Sequence, residues 1–364
     1  MTSEDQHSTP PGVKVELPTT SPNPELEYLS PSRVRSYMEC PQRYRWTYVE
    51  RIQKEEKSAP LHAGTSIHKA FEQLSLGVPF AEVQQGVVDY YHGLPGDEHL
   101  ADAYMVLGLL HAYVIYYREQ MHDVSRVEWP VWLPLVNPET GAASTRFGLH
   151  VVIDRVVREA GALRILDHKL YSGDIHPGAP RIAKLRIDDQ ASAYLLAMRE
   201  LGIDCHEMVF DMIRKPSIRP RKVTLKELAE IVTTGKYNGL AMGAAEVAKM
   251  QVFLDHRQKG EEYHESDNIT MFAARVMATV LGEPEKYFQR HVVVRTADEL
   301  DDYQAHLWAV QKSIAAARNN DRFSRNTSSC LDPFECDFCA LCFAGRRKLE
   351  EGEIPAGYQR RERA

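Results

Sequence analysis

Residues 148–170, GLHVVIDRVVREAGALRILDHKL, limit what this chain can fold into more than any other stretch. The β-branched run HVVIDRVV, the break at EAG and the resumption in LRILDHKL read as two strands joined by a short turn. Side chains two apart on a strand share a face, so Asp167 and Lys169 project together and His168 the other way. Antiparallel pairing can bring Asp154, near the end of the partner strand, to the same rim. Two carboxylates beside one lysine suit metal-assisted phosphodiester cleavage: hard oxygen ligands hold Mg²⁺ or Mn²⁺, and an ammonium group orients water or stabilises developing charge. Taken by itself, D-x-K is common by chance and reads first as an ordinary charged surface hairpin, so its meaning depends on the rest of the chain.

A chain of 364 residues can bury one large core with insertions or two smaller ones, and a single elaborated domain is expected. The net charge of -7 argues against a protein that coats nucleic acid non-specifically, and leaves room for a local basic groove. There are six cysteines, no apolar leader and no membrane-length apolar run. A cytoplasmic protein with no membrane partner is therefore expected, its thiols reduced and free to bind metal.

In chain order, residues 1–25 are rich in Ser, Thr, Pro and acidic residues, and read as a disordered tail. Order begins at LSPSRVRSYMECPQRYRWTYVERI, where Ser30 suits a helix N-cap and Pro31 the first helical position, with a bend near Pro41. Arg33, Arg35, Arg43 and Arg45 alternate here with Tyr37, Tyr44, Trp46 and Tyr48. That mixture fits single-strand binding and a half-buried amphipathic helix equally. In LHAGTSIHKAFEQLSLG, Ile67, Phe71 and Leu74 form a helical stripe, with His68 and Glu72 beside it. His68 can face a site at the rim of the core or be purely structural.

Residues 81–120 read as two helices, and 127–136 as a strand whose prolines suit an edge or a bulge. YSGDIHPGAPRIAKLR, 171–186, reads as a mobile loop above a site. IDDQASAYLLAMRELG is a helix capped by Asp188 or Asp189 and stopped by Gly202, with Gln190 and Tyr194 one turn apart. CHEMVFDMIRK is a strand that carries Cys205. The following basic loop, with Arg214, Lys215, Arg219, Arg221 and Lys222, can grip phosphates or simply be solvated. Residues 224–284 read mainly as helix with polar connections, YFQRHVVVRT as a strand, and 297–320 as a long helix with acidic residues near its start.

The C-terminal RNTSSCLDPFECDFCALCFAGRRK holds Cys330, Cys336, Cys339 and Cys342. Such crowding in a reduced compartment points to metal. With Cys40 there are five candidates for a four-ligand site, and both zinc and a [4Fe–4S] cluster accept four thiolates.

Taken in order, SPSRVRSYMECPQRY, GTSIHKAFE, IDRVV, ILDHKLY, QASAY and the cysteine-rich end resemble the RecB-like branch of the PD-(D/E)XK nucleases. More narrowly, they resemble the iron–sulfur exonucleases related to the AddB nuclease domain and the CRISPR adaptation nucleases, including stand-alone phage and bacterial forms. The likeness spans roughly 29–345, with 80–126 and 215–325 matching only as unspecific helix. It implies that His68, Asp154, Asp167 and the backbone carbonyl of His168 bind Mg²⁺ or Mn²⁺, that Lys169 is catalytic, and that Gln190 and Tyr194 support the site and touch DNA. Arg43 and Arg45 with the basic loop would contact DNA. It also implies an iron–sulfur cluster on Cys40, Cys330, Cys336 and Cys342. The C-x5-C-x2-C-x2-C spacing here departs from the usual C-x2-C-x5-C, and leaves Cys339 as an alternative ligand and Zn²⁺ as an alternative metal.

The expected fold is α/β and restriction-endonuclease-like. A central mixed sheet including the strands near 127, 150, 163 and 205 would be flanked by helices, with the metal site at the sheet's edge. Residues 26–345 would form one nuclease domain with helical insertions at about 80–126 and 224–284, followed by a basic tail at 346–364. The expected activity is metal-dependent DNA exonuclease action on single strands or ends in recombination, repair or phage DNA processing, with a helicase or recombination protein as candidate partner. A catalytically weak DNA-end-binding adaptor and a zinc-stapled nucleic-acid-binding module are the competing readings.

Overall fold

The computed structural model describes residues 17–55, 59–94, 99–118, 123–159, 161–260, 269–331, 335–345 and 353–361. The N-terminal half runs β1 (Glu27–Leu29), α1 (Pro31–Glu39), α2 (Pro41–Tyr44), β2 (Ile52–Lys54), α3 (Ala59–Ser75), α4 (Phe80–His92), α5 (Leu100–Tyr116), β3 (Asp123–Val136), β4 (Ala143–Glu159) and β5 (Ala162–Tyr171). The remainder runs α6 (Pro180–Arg186), α7 (Asp189–Glu200), β6 (Glu207–Arg214), α8 (Leu225–Thr234), β7 (Lys236–Tyr237), β8 (Leu240–Ala241), α9 (Ala244–Gln258), α10 (Ile269–Gly282), α11 (Pro284–Tyr287), β9 (Phe288–Val294), α12 (Ala297–Asn319) and β10 (Tyr358–Arg360).

The expected hairpin forms. β4 and β5 pair antiparallel from Glu159↔Ala162 to Arg155↔Leu166, and β5 then lies parallel to β6. The six-stranded sheet is mixed, in the order β1-β4-β5-β6-β9, with β3 along the outer side of β4. As its prolines foretell, β3 is an edge strand, with register shifts between Val124 and Arg126 and between Pro134 and Val136.

Because β3 occupies one side of β4 along most of its length, β1 and β5 share the other side. β1 takes 147–149 and β5 takes 155–159. Residues 150–154 therefore face a gap in the sheet. Gly148 permits this packing: a Cβ there would stand 2.4 Å from Tyr28 Cε1 and 2.6 Å from Leu133 O.

One apolar cluster joins β3–β6 to α7 and α12 through Ile153, Ile165, Phe210, Leu196 and Leu307. A second joins α3, α4, α5 and α10 to the other side of the sheet through Ile67, Phe71, Leu109, Val276 and Ile213. A third holds α8, α9 and the β7–β8 hairpin together; that hairpin interrupts a region read as helix with polar connections.

Several expectations change. Ser30 caps α1 as foreseen, accepting from Arg33 N at 3.3 Å, with Pro31 at the start. The chain breaks at Cys40 (φ -162°, ψ 108°) instead of bending, because a residue before proline is driven out of the α region. Of the presumed tail, 1–16 lies outside the described residues. Leu17 is buried in the main cluster, and Thr20 Oγ1 accepts from Trp132 N at 2.8 Å, so order begins before residue 26. Half of the expected loop at 171–186 is α6, which Ile182 and Leu185 anchor in the core. Cys205 precedes β6 instead of lying on it, though it is buried as expected. In the C-terminal tail, β10 pairs with β2. No helix among the described residues is long and apolar enough to cross a membrane.

Candidate active site

The hairpin register explains how two acids meet. Arg155 and Leu166 form the final pair between β4 and β5, so Asp154 and Asp167 are the next residues on two strands that part there. The site thus lies on interior strands, at the gap, and not at the sheet's edge as expected. Where β5 leaves β4, the freed carbonyl of Val152 accepts from Tyr194 OH at 2.6 Å. Gln190, one turn earlier on α7, donates through Nε2 to Asp167 Oδ1 at 2.8 Å and to Tyr194 OH at 2.9 Å. Asp188 supplies the α7 cap that aims both side chains, accepting from Gln190 N at 2.9 Å.

Lys169 Nζ is 2.7 Å from Asp167 Oδ2, as their shared strand face requires. His68, on α3, places Nδ1 3.2 Å from Asp154 Oδ2. Burial pushes Asp167 up to about 6 against the opposing charge of Lys169. Burial also acts on Asp154 and His68, but their contact outweighs it: Asp154 is held below the usual carboxylate range and His68 above the usual histidine range. The Oδ2 atoms of both aspartates are buried, with a basic neighbour but no aligned hydrogen-bond donor. Two carboxylate oxygens in that condition fit a hard cation. An open cleft of about 560 Å³ adjoins Asp154 and His68, with Glu128 and Glu72 on its wall.

His168 points to the opposite face, as read from the sequence. Its ring stacks on Phe71 with centroids 4.2 Å apart, and Nδ1 lies 3.1 Å from Asp211 Oδ2. Tyr113 OH donates to the same oxygen, and Arg290 Nε lies 3.7 Å from Oδ1. Asp211 is fully buried. Burial would raise its carboxyl, but His168, Arg290 and Tyr113 hold it low. This network backs the strand segment that presents Asp167 and Lys169.

Sequence reasoning missed Glu128, Asp211, Tyr113 and Arg290. A signal existed for Asp211: an acid inside the apolar run VFDMI must be paired if it is buried. Glu128 falls between Val127↔Arg155 and Trp129↔Ile153, and so lies across from Asp154. Burial first, then the charges of Asp154 and Glu72, raise its carboxyl.

The candidate DNA contacts divide. Arg45 is held by Glu50 at 3.3 Å and Asp321 at 3.1 Å, and both outer nitrogens of Arg221 donate to Glu227. Arg43 pairs with Glu39 at 2.9 Å, and Arg214 stands 4.0 Å from Asp174. Burial lowers the Lys215 ammonium; Arg219 and Lys222 are exposed. Tyr44 and Trp46 are buried, so those two aromatics belong to the core, as in the amphipathic-helix reading.

The structure brings Cys40 to the C-terminal cysteines. Its Sγ accepts from Asn326 N at 3.4 Å, while Asn326 Nδ2 donates to Glu39 O at 2.8 Å. Cys336 N donates to Cys330 O at 2.8 Å, and Trp46 Nε1 to Cys342 Sγ at 3.1 Å. Burial first, then nearby cysteines including Cys40, raise the thiols of Cys330, Cys336 and Cys342. Among the described residues, no three His, Cys, Asp or Glu side chains are grouped closely enough to hold a metal ion, here or at the acidic pair.

A protein-family profile described as the PD-(D/E)XK nuclease superfamily matches residues 28–343. No curated protein matches the chain. Among solved structures it is similar to a crystal structure of a candidate exonuclease from Eubacterium rectale, with 14% identity and a TM-score of 0.37 over 66% of this chain and 84% of that one.

Proposed function

The chain belongs to the PD-(D/E)XK nuclease superfamily, and from that premise we propose that it is a Mg²⁺- or Mn²⁺-dependent deoxyribonuclease. In this reading it degrades single strands or DNA ends in recombination, repair or phage DNA processing. The observation that supports it is the meeting of Asp154, Asp167, His68 and Lys169 at the gap beside β4. Asp154 and Asp167 would hold the cation through their buried Oδ2 atoms; the resemblance adds His68 and the main-chain carbonyl of His168 to the set, though His68 does not stand with the two acids in a ready-made metal-binding group. When bound, the cation supplies Lewis-acid stabilisation and a more acidic water. Gln190 fixes one oxygen of Asp167, leaving the other toward Lys169, which is positioned to orient water or stabilise charge on phosphate.

The finer assignment is to the RecB-like iron–sulfur exonucleases, with residues 26–345 as one nuclease domain. Cys40, Cys330, Cys336 and Cys342 would carry a [4Fe–4S] cluster, with Cys339 as alternative ligand and Zn²⁺ as alternative metal. The contacts of Cys40 with Asn326 and of Trp46 with Cys342 support a clasp between the two ends. A brown protein absorbing broadly in the visible would favour iron–sulfur, and a colourless one zinc.

Degradation of end-labelled and circular single-stranded DNA with Mg²⁺ or Mn²⁺ tests the activity. An exonuclease shortens the linear strand and spares the circle. Asp167→Ala is expected to lower cleavage by on the order of a thousandfold without loss of fold. Full activity in that variant would remove Asp167 from the site.

A further inference from the structure

The gap along β4 is more than a place where two strands part. Between β1 and β5 it opens into a cleft of about 340 Å³, walled by Ser30, Ser32 and Arg35 at the start of α1, by His150 on β4, and by Gln190 and Tyr194. Its volume is within the range that holds a small ring system. The last two residues also hold Asp167 and the Val152 carbonyl, so two side chains of the cleft wall are bonded to the strands that carry the acidic pair.

The His150 ring on one wall is backed by a second aromatic ring, which does not itself line the cleft. Trp132 and His150 are cross-strand partners in the β3–β4 register, and their rings stack with centroids 3.5 Å apart and planes 9° from parallel. Tyr28 meets Trp132 edge-on at 4.8 Å, in the space that Gly148 leaves open. The stack is only partly covered, and His150 Nε2 has no hydrogen-bond partner among the described residues. Burial, and then the nearby charge of Arg33, keep His150 below the ordinary histidine range.

The opposite wall is polar. The Ser30 and Ser32 hydroxyls lie 3.0 Å apart, and Arg35, half exposed, is steadied by Asp188 at 2.8 Å. A flat aromatic ring on one side with hydroxyls and a guanidinium on the other matches one unpaired nucleotide: base against the ring, phosphate toward the helix start. A paired base has its faces covered by its neighbours and cannot enter.

We propose that this cleft receives an unpaired base of the DNA strand being processed, stacked on the His150 ring that Trp132 backs, so that the strand's backbone is led to Asp154 and Asp167. The inference rests on the nuclease reading, and makes the protein selective for single-stranded DNA at the point of cleavage.

The test uses full-length Asp167→Asn protein and fluorescence anisotropy with three labelled probes: a short single strand, its blunt duplex, and the same strand carrying abasic sites. The intact single strand should bind about tenfold more tightly than the abasic one, as one stacked base requires. His150→Ala and Trp132→Ala should each lose about that factor on the intact strand and little on the abasic strand, whereas His150→Phe, which keeps a flat ring, should bind like its parent. The abasic comparison is made within each protein, so a general loss of fold would lower both probes together. Equal binding of intact and abasic strands by the parent, or undiminished preference in His150→Ala, would overturn the cleft. If wild-type protein still degrades the single strand in the same preparations, only the cleft has failed; if it neither binds nor degrades any probe, the nuclease reading has failed with it.

Discussion

Glu128 has a backbone φ of +43°, a conformation that costs a non-glycine residue of order 1 kcal/mol or more and persists only where its surroundings impose it. The strain sets a carboxylate across from Asp154, in the same cleft as His68. Glu128→Gly should therefore relieve strain, raising stability by about 0.5–1 kcal/mol, while cleavage falls because a carboxylate is lost beside the acidic pair. Chemical denaturation and a strand-degradation assay on the same preparation would check both. A variant less stable than wild type and fully active would return Glu128 to an ordinary edge position. Lys169 shows the converse case, an unstrained strand residue whose place beside Asp167 follows from alternation alone.

Among the elements, α8 shows how a charge can be tied to a fold. Thr224 and Glu227 form a reciprocal capping box, Tyr237 OH donates to Glu227 Oε1 at 2.8 Å, and Arg221 donates to both carboxylate oxygens. Burial would raise the Glu227 carboxyl, but Arg221, Thr224 and Tyr237 outweigh it and hold the group far below the usual carboxylate range. A group depressed in the folded state adds stability above its unfolded pKa, and that stability is lost as pH falls toward the folded value. Glu227→Gln should thus cost about 1–2 kcal/mol at neutral pH, mainly through the cap and hydrogen bonds, because solvent screens the ion pair. The gap from wild type should narrow in acid below the ordinary carboxylate range. Denaturation midpoints at neutral and acid pH measure it, and a constant gap would contradict the linkage. The same bonds withdraw Arg221 from any phosphate, so its substitution should flatten the salt dependence of DNA binding less than that of the exposed Arg219.

For the whole molecule, the two ends of the chain are drawn together. Glu27 Oε1 accepts from Tyr44 OH at 2.9 Å and from Arg318 Nη2 at 2.5 Å, β10 pairs with β2, and Asn326 reaches both Glu39 and Cys40. If four thiolates close this junction through a metal centre, Cys40→Ala should lose the bound metal and destabilise the protein by roughly 3 kcal/mol or more, against about 1 kcal/mol for an ordinary substitution. Cys339→Ala should be milder. Iron, sulfide and zinc per chain, with thermal midpoints, decide the matter; retention of metal in Cys40→Ala would end the clasp. By itself the sequence determined the hairpin, the N-cap at Ser30, the edge character of β3, the shared face of Asp167 and Lys169, and the shared helix face of Gln190 and Tyr194, where strand or helix periodicity sets direction. These are local matters, governed by neighbours a few residues away. Only the tertiary structure decided that β1 and β5 divide one side of β4 and leave a gap between them, that His168 rests on Asp211, and that Glu128 faces Asp154. Each of these depends on which strands lie side by side, which is settled by burial of whole faces among residues distant in the chain, and no short stretch of sequence carries it.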